Sequence, residues 1–358
     1  MAGYGEAHYN QPLNADVRQN GKLDVHRLVM LLGYNFTSKT QFVSEIEFEH
    51  VSEVYVEQAF LQHRVNEFVN LRAGLLLVPM GIVNEYHEPT TFNGVERPHI
   101  DNVIAPTTWR EIGAGVQGNV LGVSIKYQAY VMNGFTGYTE KDKEMVATLS
   151  GSNGLRGGRQ KGAESHVVNP NFTGKVEYYG INGLNLGVSG YVGKTQSILY
   201  KSGIDKNDDA AMAKADSSVV GVSMLGIDGR YSNSGLQLRG QFYFTNLSNT
   251  LQYNQFTGSD LGSAMVGYYA EAGYDVLKPL GISQMGLVPF VRLEAFNTQQ
   301  SVENGITANQ ANSKSIVTTG LTCKLAKGAV LKADMQFVKS EADDKYAKTF
   351  NAGFGVMF

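Results

Sequence analysis

The last nine residues, Phe350-Asn351-Ala352-Gly353-Phe354-Gly355-Val356-Met357-Phe358, decide the fold class. In an extended chain Phe350, Ala352, Phe354, Val356 and Phe358 share one face, and Asn351, Gly353, Gly355 and Met357 the other. Working back along the chain, Leu331, Ala333, Met335 and Phe337 oppose Lys332, Asp334 and Gln336. Val317, Thr319, Leu321, Cys323 and Leu325 oppose Thr318, Gly320, Thr322 and Lys324. The rule holds upstream, where Val266, Tyr268, Ala270, Ala272 and Tyr274 face away from Tyr269, Glu271 and Asp275, and Leu236, Leu238 and Phe242 away from Gln237, Arg239 and Gln241. A period of two recurs throughout, and a period of 3.6 is hard to find over any useful length.

Marking each such segment predicts about sixteen strands, near 3–9, 23–36, 40–50, 54–65, 68–78, 110–117, 122–133, 172–179, 184–195, 219–231, 236–247, 265–276, 287–297, 314–325, 329–339 and 347–358. Short turns are expected at Thr37-Ser38-Lys39, Gly118 to Leu121, Gly180 to Gly183, Ser232 to Gly235 and Ala326 to Gly328. Long connections alternate with them at 10–22, 79–109, 134–171, 196–218, 248–264 and 298–313. An even strand number, turns at one end and loops at the other describe a closed antiparallel transmembrane β-barrel, one all-β domain over 1–358. A soluble sandwich would carry Lys/Glu-rich outer faces and short loops at both ends. Here the second face mixes Gly, Tyr, Gln, Arg and Glu, and closure leaves no backbone group unpaired in hydrocarbon.

Composition agrees. The 358 residues include 41 Gly, 19 Tyr and 17 Phe but only 8 Pro, a profile of short strands and tight turns. A net charge of −3 offers no excess basicity for nucleic acid, so none is expected as a partner. Cys323 is the only cysteine, which excludes an intramolecular disulfide and a Cys-based metal cage. The most apolar run, Ala73 to Val83, is interrupted by Pro79 and Gly81 and falls short of the roughly 18 to 20 residues of a spanning helix. Met1-Ala2-Gly3 leads straight into strand-like sequence without a secretory signal, so a barrel of this kind implies a signal peptide already removed.

Closing about sixteen strands leaves more interior than side chains fill, normally an aqueous channel. Alternation directs Glu45, Glu47, Arg72, Lys126, Arg239, Glu271, Arg292 and Glu294 inward as pore-lining residues. Lys175, Arg230, Lys324, Lys332, Glu49, Glu57, Glu111, Glu177, Asp228, Asp275 and Asp334 take the same face. The connection 79–109 is far longer than ordinary loops and is expected to fold into the pore, bringing Glu85, His87, Glu88, Glu96, Arg97 and His99 as a constriction, with Asp101 and Trp109. Its donors fit no compact ligand spacing, so no metal and no cofactor are expected. Gly113 to Gly118 has the spacing of a dinucleotide-binding loop but joins two strands, without the helix N-terminus a phosphate needs. Gly193-Lys194-Thr195 lacks the earlier glycine of a P-loop, and no nucleophile elbow occurs. The expectation is a non-enzyme; a rim Ser/His hydrolase is the enzymatic alternative.

Three stretches add a family resemblance. "HRLVMLLGYNF…FVSEIEFEH" at 26–50, "LRAGLLLVPMGIVNEYHEPTTFNGVERPHIDNVIAPTTWREIGAGVQG" at 71–118 and "YYAEAGYDVL…LVPFVRLEAFNTQ" at 268–299 resemble outer-membrane porins related to phosphate-selective porins O and P. The resemblance covers nearly the whole chain, and the pattern of Arg72, Gly74, Val78, Pro79 and Gly81 carries most of its specificity. It implies a sixteen-stranded Gram-negative outer-membrane porin, bedded in outer-membrane lipid and lipopolysaccharide, as a homotrimer or as a subunit of a larger membrane complex. It also implies that Phe354, Val356 and Phe358 act as the signal read by the barrel assembly machinery. Glu45, Glu47, Glu49 and Glu57 depart from the basic ladder associated with phosphate selectivity, so that substrate is not carried over. The expected function is diffusion of small hydrophilic or ionic solutes; the alternative is a non-conducting structural or partner-binding barrel.

Overall fold

The computed structural model of the protein describes residues 2–13, 16–282, 284–303 and 305–358. Sixteen strands form one closed barrel: β1 (Ala2–Leu13), β2 (Lys22–Asn35), β3 (Thr40–Glu49), β4 (Glu53–Arg64), β5 (Asn70–Leu77), β6 (Arg110–Val120), β7 (Ile125–Met132), β8 (Asn171–Ile181), β9 (Leu184–Lys194), β10 (Gly221–Asn233), β11 (Leu236–Ser248), β12 (Ala264–Tyr274), β13 (Gly286–Ser301), β14 (Ser313–Ala326), β15 (Ala329–Ser340) and β16 (Ala347–Met357). Each pairs antiparallel with its neighbours in sequence, and β16 closes on β1 with Tyr4 opposite Met357 and Leu13 opposite Lys348. Gly3 N–H and Phe358 N–H each donate to the other's carbonyl at 2.9 Å, so the chain ends seal the seam. Closure is the one arrangement that leaves a sheet without edges.

Polarity is inverted relative to a soluble protein. Phe354 on β16 is 48% exposed and lies opposite Leu331, also 48% exposed, while Lys332, Asp334 and Asn351 beside them are buried. On β13 Leu293 is 54% exposed and its neighbours Arg292 and Glu294 are buried. A wall with leucine, valine and phenylalanine outside and ion pairs inside is stable only where the outside is lipid. Among the described residues no helix is long and apolar enough to cross a membrane, so the strands do the crossing.

The connections alternate in length. At one end β2–β3, β4–β5, β6–β7, β8–β9, β10–β11 and β14–β15 are joined by tight turns, with a longer link at 275–285. At the other lie 14–21, 78–109, 133–170, 195–220, 249–263, 302–312 and 341–346, together with the one tight link there, 50–52. Residues 14, 15 and 304, inside the expected connections 10–22 and 298–313, lie outside the described residues. Several boundaries differ from expectation: β1 runs on to Leu13 and β13 to Ser301, β6 runs through Gly118 to Val120, and a single 3-10 turn, Leu121–Val123, precedes β7. The long connections also carry structure that alternation did not reveal. A small sheet joins Thr136–Lys141, Glu144–Ala147 and Gln196–Ser197, and helices span Asp209–Ser217 and Thr250–Thr257. The first helix is capped by Asp208, which accepts from Ala211 N–H; the second ends at Gly258 with φ 72°.

Gly113 and Gly115 belong to β6, where a Cβ on Gly115 would sit 2.1 Å from the Ala129 carbonyl of β7. These glycines allow two strands to approach and cradle no phosphate. Two of the register shifts bear on the interior. Between β1 and β2 the register steps from Glu6 opposite Arg27 to Ala7 opposite Val25, leaving His26 as the extra residue. Between β3 and β4 it steps from Glu45 opposite Gln58 to Ile46 opposite Val56, leaving Glu57. An extra residue turns the side chains beyond it to the other face.

Candidate functional site

The interior is organised by the segment 78–109, which leaves β5, enters the barrel and returns to β6. Its two ends are pinned together: Val78 N–H donates to the Trp109 carbonyl at 3.0 Å. The Asn84 side chain donates to the Val78 and Trp109 carbonyls at 2.7 and 2.9 Å and accepts from Trp109 N–H at 2.7 Å. The Trp109 indole donates to Glu111 at 2.8 Å, stacks on Phe135 and meets Tyr191 at a tilt of 51°. Gly81, at φ 69°, turns the segment against the wall; a Cβ there would fall 1.8 Å from the Tyr243 hydroxyl.

From that base the segment bonds to strands around the barrel. Lys175 of β8 donates to the Gly81 carbonyl and to Glu85, both at 2.7 Å, and Gln128 of β7 also donates to Glu85. Gln241 of β11 accepts from Ile82 N–H at 3.0 Å. Arg27 of β2 donates to the His87 carbonyl at 2.5 Å and to Glu6 at 2.6 Å. His87 meets Tyr4 at 2.9 Å and Glu57 at 3.5 Å. Arg292 of β13 donates to the carbonyls of Asn93 and Glu96 at 2.6 and 3.1 Å and to Glu271 at 2.9 Å. Asp334 of β15 accepts from Val95 N–H at 2.7 Å, and Glu294 accepts from Ile100 N–H at 2.6 Å. Charged side chains on the wall thus hold the backbone of the segment through charge-assisted hydrogen bonds.

The residues singled out in the sequence are distributed between this network and its margins. Glu45 accepts from Gln58 at 2.6 Å, and Glu47 lies 3.9 Å from Arg27; both are buried. Arg72 is half-buried over the Phe60 ring and donates to Gln62 at 2.7 Å. Arg239 lies 3.7 Å from Glu271 and also donates to the Thr91 carbonyl. Lys126, near the turn end, is exposed and stands over the Tyr179 ring. In the segment, Glu88 receives Thr91 Oγ on its carbonyl, Arg97 reaches the His87 carbonyl at 3.5 Å, and His99 stacks with Phe296. Phe354 and Phe358 face outward on the closing strand and Val356 is half-buried beside them, far from this network.

Between the segment and the wall formed by β1, β2, β15 and β16 remains a cavity of about 430 Å³. It runs from Lys22, Asp24, Asn10 and Thr349 near the loop end down to Glu6 and Val95. His8, His26, His99, Glu96, Arg97, Asp101 and Arg156 line it, so cationic, anionic and imidazole groups all reach the same space. Within the segment, burial pushes the Asp101 carboxyl up to about 7, against the hydrogen bond from Tyr243 at 2.8 Å and the charge of Arg292. Burial also works against ionisation of Glu96, yet the hydrogen bond and charge of His8 hold it down at about 2. Burial keeps the His99 imidazole below its usual value.

Six members of this site escaped the sequence reading: Tyr4, Glu6 and His8 on β1, and Asp24, His26 and Arg27 on β2. For β1 the signal was present, since Tyr4, Glu6, His8 and Asn10 alternate as polar residues. For β2 the bulge at His26 hides it, because Asp24 and Arg27 share the inner face although their spacing is odd.

No protein-family model matches the chain. An uncharacterized protein of Aquifex aeolicus is 30% identical over 355 residues, covering 96% of this chain and 76% of that one. The chain belongs to one family with that protein. The barrel is similar to an anion-selective porin from Comamonas acidovorans (TM-score 0.59, 12% identity, 100% of this chain and 98% of the other). It is also similar to OmpT, an outer membrane protein of Vibrio cholerae in trimer form (TM-score 0.56, 11% identity, 99% and 98%). At such identity the likeness is one of fold.

Proposed function

We propose that this chain, with its family, is an outer-membrane channel of the porin kind, passing small hydrophilic or ionic solutes through a bore narrowed by the segment 78–109. The observation that carries the reading is the pairing of an apolar outer wall with a charged cavity of about 430 Å³ entered from the loop end. Lipid outside and a polar space inside suit a passage for solutes that a bilayer excludes. Glu96 and Asp101 on one hand and Arg97, Arg156 and Lys22 on the other set the field that a solute meets.

The porin fold supports placement in a Gram-negative outer membrane, among lipid and lipopolysaccharide, after removal of a signal peptide. The trimer form of the Vibrio cholerae protein supports a homotrimer, and the exposed Phe354 and Phe358 on the closing strand support recognition by the barrel assembly machinery. Kinship with phosphate-selective porins O and P rests on the stretches 26–50, 71–118 and 268–299, and no catalytic role is proposed. Incorporation of the purified protein into planar bilayers is the test: discrete conductance steps are expected, and correctly folded protein that gives none overturns the reading.

One observation favours a second reading. Segment 78–109 is bonded to strands on every side of the barrel, and Glu57, Lys175, Arg292 and Glu271 beside it are buried. A barrel plugged this firmly would serve as a structural or partner-binding subunit. Silence in bilayers, together with other membrane proteins retained through purification, would select it.

A further inference from the structure

We propose that Asp24, His26 and His50 form a binding site for a first-row divalent transition-metal ion at the loop-end lip of the cavity. One ligand atom from each lies within 4.8 Å of the others. His50 Nδ1 is 2.7 Å and His26 Nδ1 3.6 Å from Asp24 Oδ2. Tetrahedral bonds of about 2.0–2.1 Å set ligand atoms about 3.3–3.4 Å apart, so these separations bracket what such an ion requires.

The fold builds this juxtaposition through two irregularities. The bulge at His26 turns Asp24 and His26 to the inner face beside Arg27, where plain alternation would send them into lipid. The tight link 50–52 is the one short connection at the loop end, and His50 opens it at φ 51° with its N–H on the His26 carbonyl at 3.2 Å. Asp24, His26 and His50 all remain partly exposed. The His8 ring stacks on His26 with centroids 4.7 Å apart and planes 11° from parallel, and His8 is itself held by Glu6 and Glu96 at 3.2 Å. This stack sets the orientation of the His26 ring. Glu49, 3.9 Å from His50 Nε2, offers a carboxylate to the far nitrogen, the usual support of a metal-bound imidazole.

Two imidazoles and one carboxylate favour Zn²⁺, Co²⁺, Ni²⁺ or Cu²⁺ over Ca²⁺ and Mg²⁺, which demand more oxygen ligands. Lys22, 3.1 Å from Asp24 and 67% exposed, is the competing cation, and its long side chain is free to leave. Three protein ligands leave a coordination position open to water or a solute, suited to capture and release at an entrance. A second trio, Glu45, Glu57 and His87, is fully buried, and Gln58 and Tyr4 hold Glu45, Glu57 Oε2 and His87, so an ion there would have to shed its water and displace those contacts.

The test uses the untagged full chain folded in detergent, titrated with Co²⁺ by visible absorption and with Zn²⁺ by equilibrium dialysis. One ion per chain is expected, undisturbed by hundredfold excess Mg²⁺. D24N and H26Q should each weaken binding at least about tenfold, since loss of a supporting group alone costs 10–100-fold. H50N, which keeps a residue tolerant of positive φ, should do the same. Unchanged affinity in D24N and H26Q, in barrels whose circular dichroism matches the parent, would overturn the proposal. So would displacement by Mg²⁺, or loss of binding in H87Q with retention in H26Q, which assigns the ion to the buried trio. Binding requires no conduction, so a silent barrel leaves this site standing.

Discussion

Replacing Arg292 by alanine tests the interior most directly, because this guanidinium ties three partners at once. It donates to Glu271 at 2.9 Å and to the carbonyls of Asn93 and Glu96 at 2.6 and 3.1 Å, and it is fully buried. Its removal leaves Glu271 buried with only Asn93, at 3.1 Å, and Arg239, at 3.7 Å, for compensation. Breaking one partner out of a buried pair costs about 3–5 kcal/mol. The electrical effect is separable. Losing Arg292 leaves the Glu271 carboxylate unneutralised, and one net unit of charge, taken for scale at ~8 Å from a passing ion in water, is worth 332/(80×8), about 0.5 kcal/mol, which raises cation and lowers anion occupancy by about 2.3-fold each. The cation-to-anion permeability ratio should therefore rise roughly fivefold. Reversal potentials in a KCl gradient across planar bilayers measure it. Arg292→Lys keeps the charge and loses the fork, so it should share the loss of stability and leave selectivity nearly unchanged. Reversal potentials that do not move in a folded Arg292→Ala barrel would refute the reasoning that the Arg292–Glu271 pair lies close enough to the conducting space to set its field.

Three further outcomes are expected from the same geometry. Leu293→Arg, one residue along the strand, sets a charge against lipid and should destabilise the barrel by about 2–4 kcal/mol in urea titrations in lipid; indifference would mean that this face is not lipid-covered. Gly81→Val meets the Tyr243 hydroxyl and a left-handed backbone, at a cost of at least about 1–2 kcal/mol, and should open 78–109 to chymotrypsin at Tyr86 and Phe92, with faster cleavage than in the parent; equal cleavage rates would refute the role given to Gly81. Asp101, with its carboxyl pushed up to about 7 by burial, gains its charge between pH 6 and 8. Cation preference should rise over that interval and the rise should vanish in Asp101→Asn; in stability the raised value works the other way, favouring the fold at the acid side and losing that contribution as pH climbs past about 7. A pH profile identical in both proteins would remove Asp101 from the path.

The barrel was legible because each strand repeats one rule, and sixteen repetitions average out local exceptions. Leu331 against Lys332, or Leu293 against Arg292, needs no knowledge of neighbours to be sorted into outside and inside. What such a rule cannot carry is an inserted residue. His26 shifts Asp24 to the inner face, and Glu57 occupies the bulge on β4. The site is therefore least readable where it is most densely charged. The helices at Asp209–Ser217 and Thr250–Thr257 escaped for a different reason: each is only a few turns long and packs in the loop layer, too short for a period of 3.6 to stand out.

The acidic stripe illustrates how far charge can be argued from a single strand. Glu45, Glu47, Glu49 and Glu57 read in sequence as a barrier to anions. In the folded barrel the bulge sets Arg27 among Glu6, Glu47 and the His87 carbonyl, and Tyr4 and His87 close on Glu57. Arg97, Arg156 and Lys22 then share the cavity with Glu96 and Asp24. A buried carboxylate whose charge is met at 2.6 Å projects little field into a passage, whereas a half-exposed one such as Glu96 at the cavity wall still does. Ion preference in this barrel is thus a property of the less tightly paired charges around the cavity, and of the four glutamates of the stripe Glu57 is the one that closes on the segment, through His87, while Glu45 is engaged by Gln58.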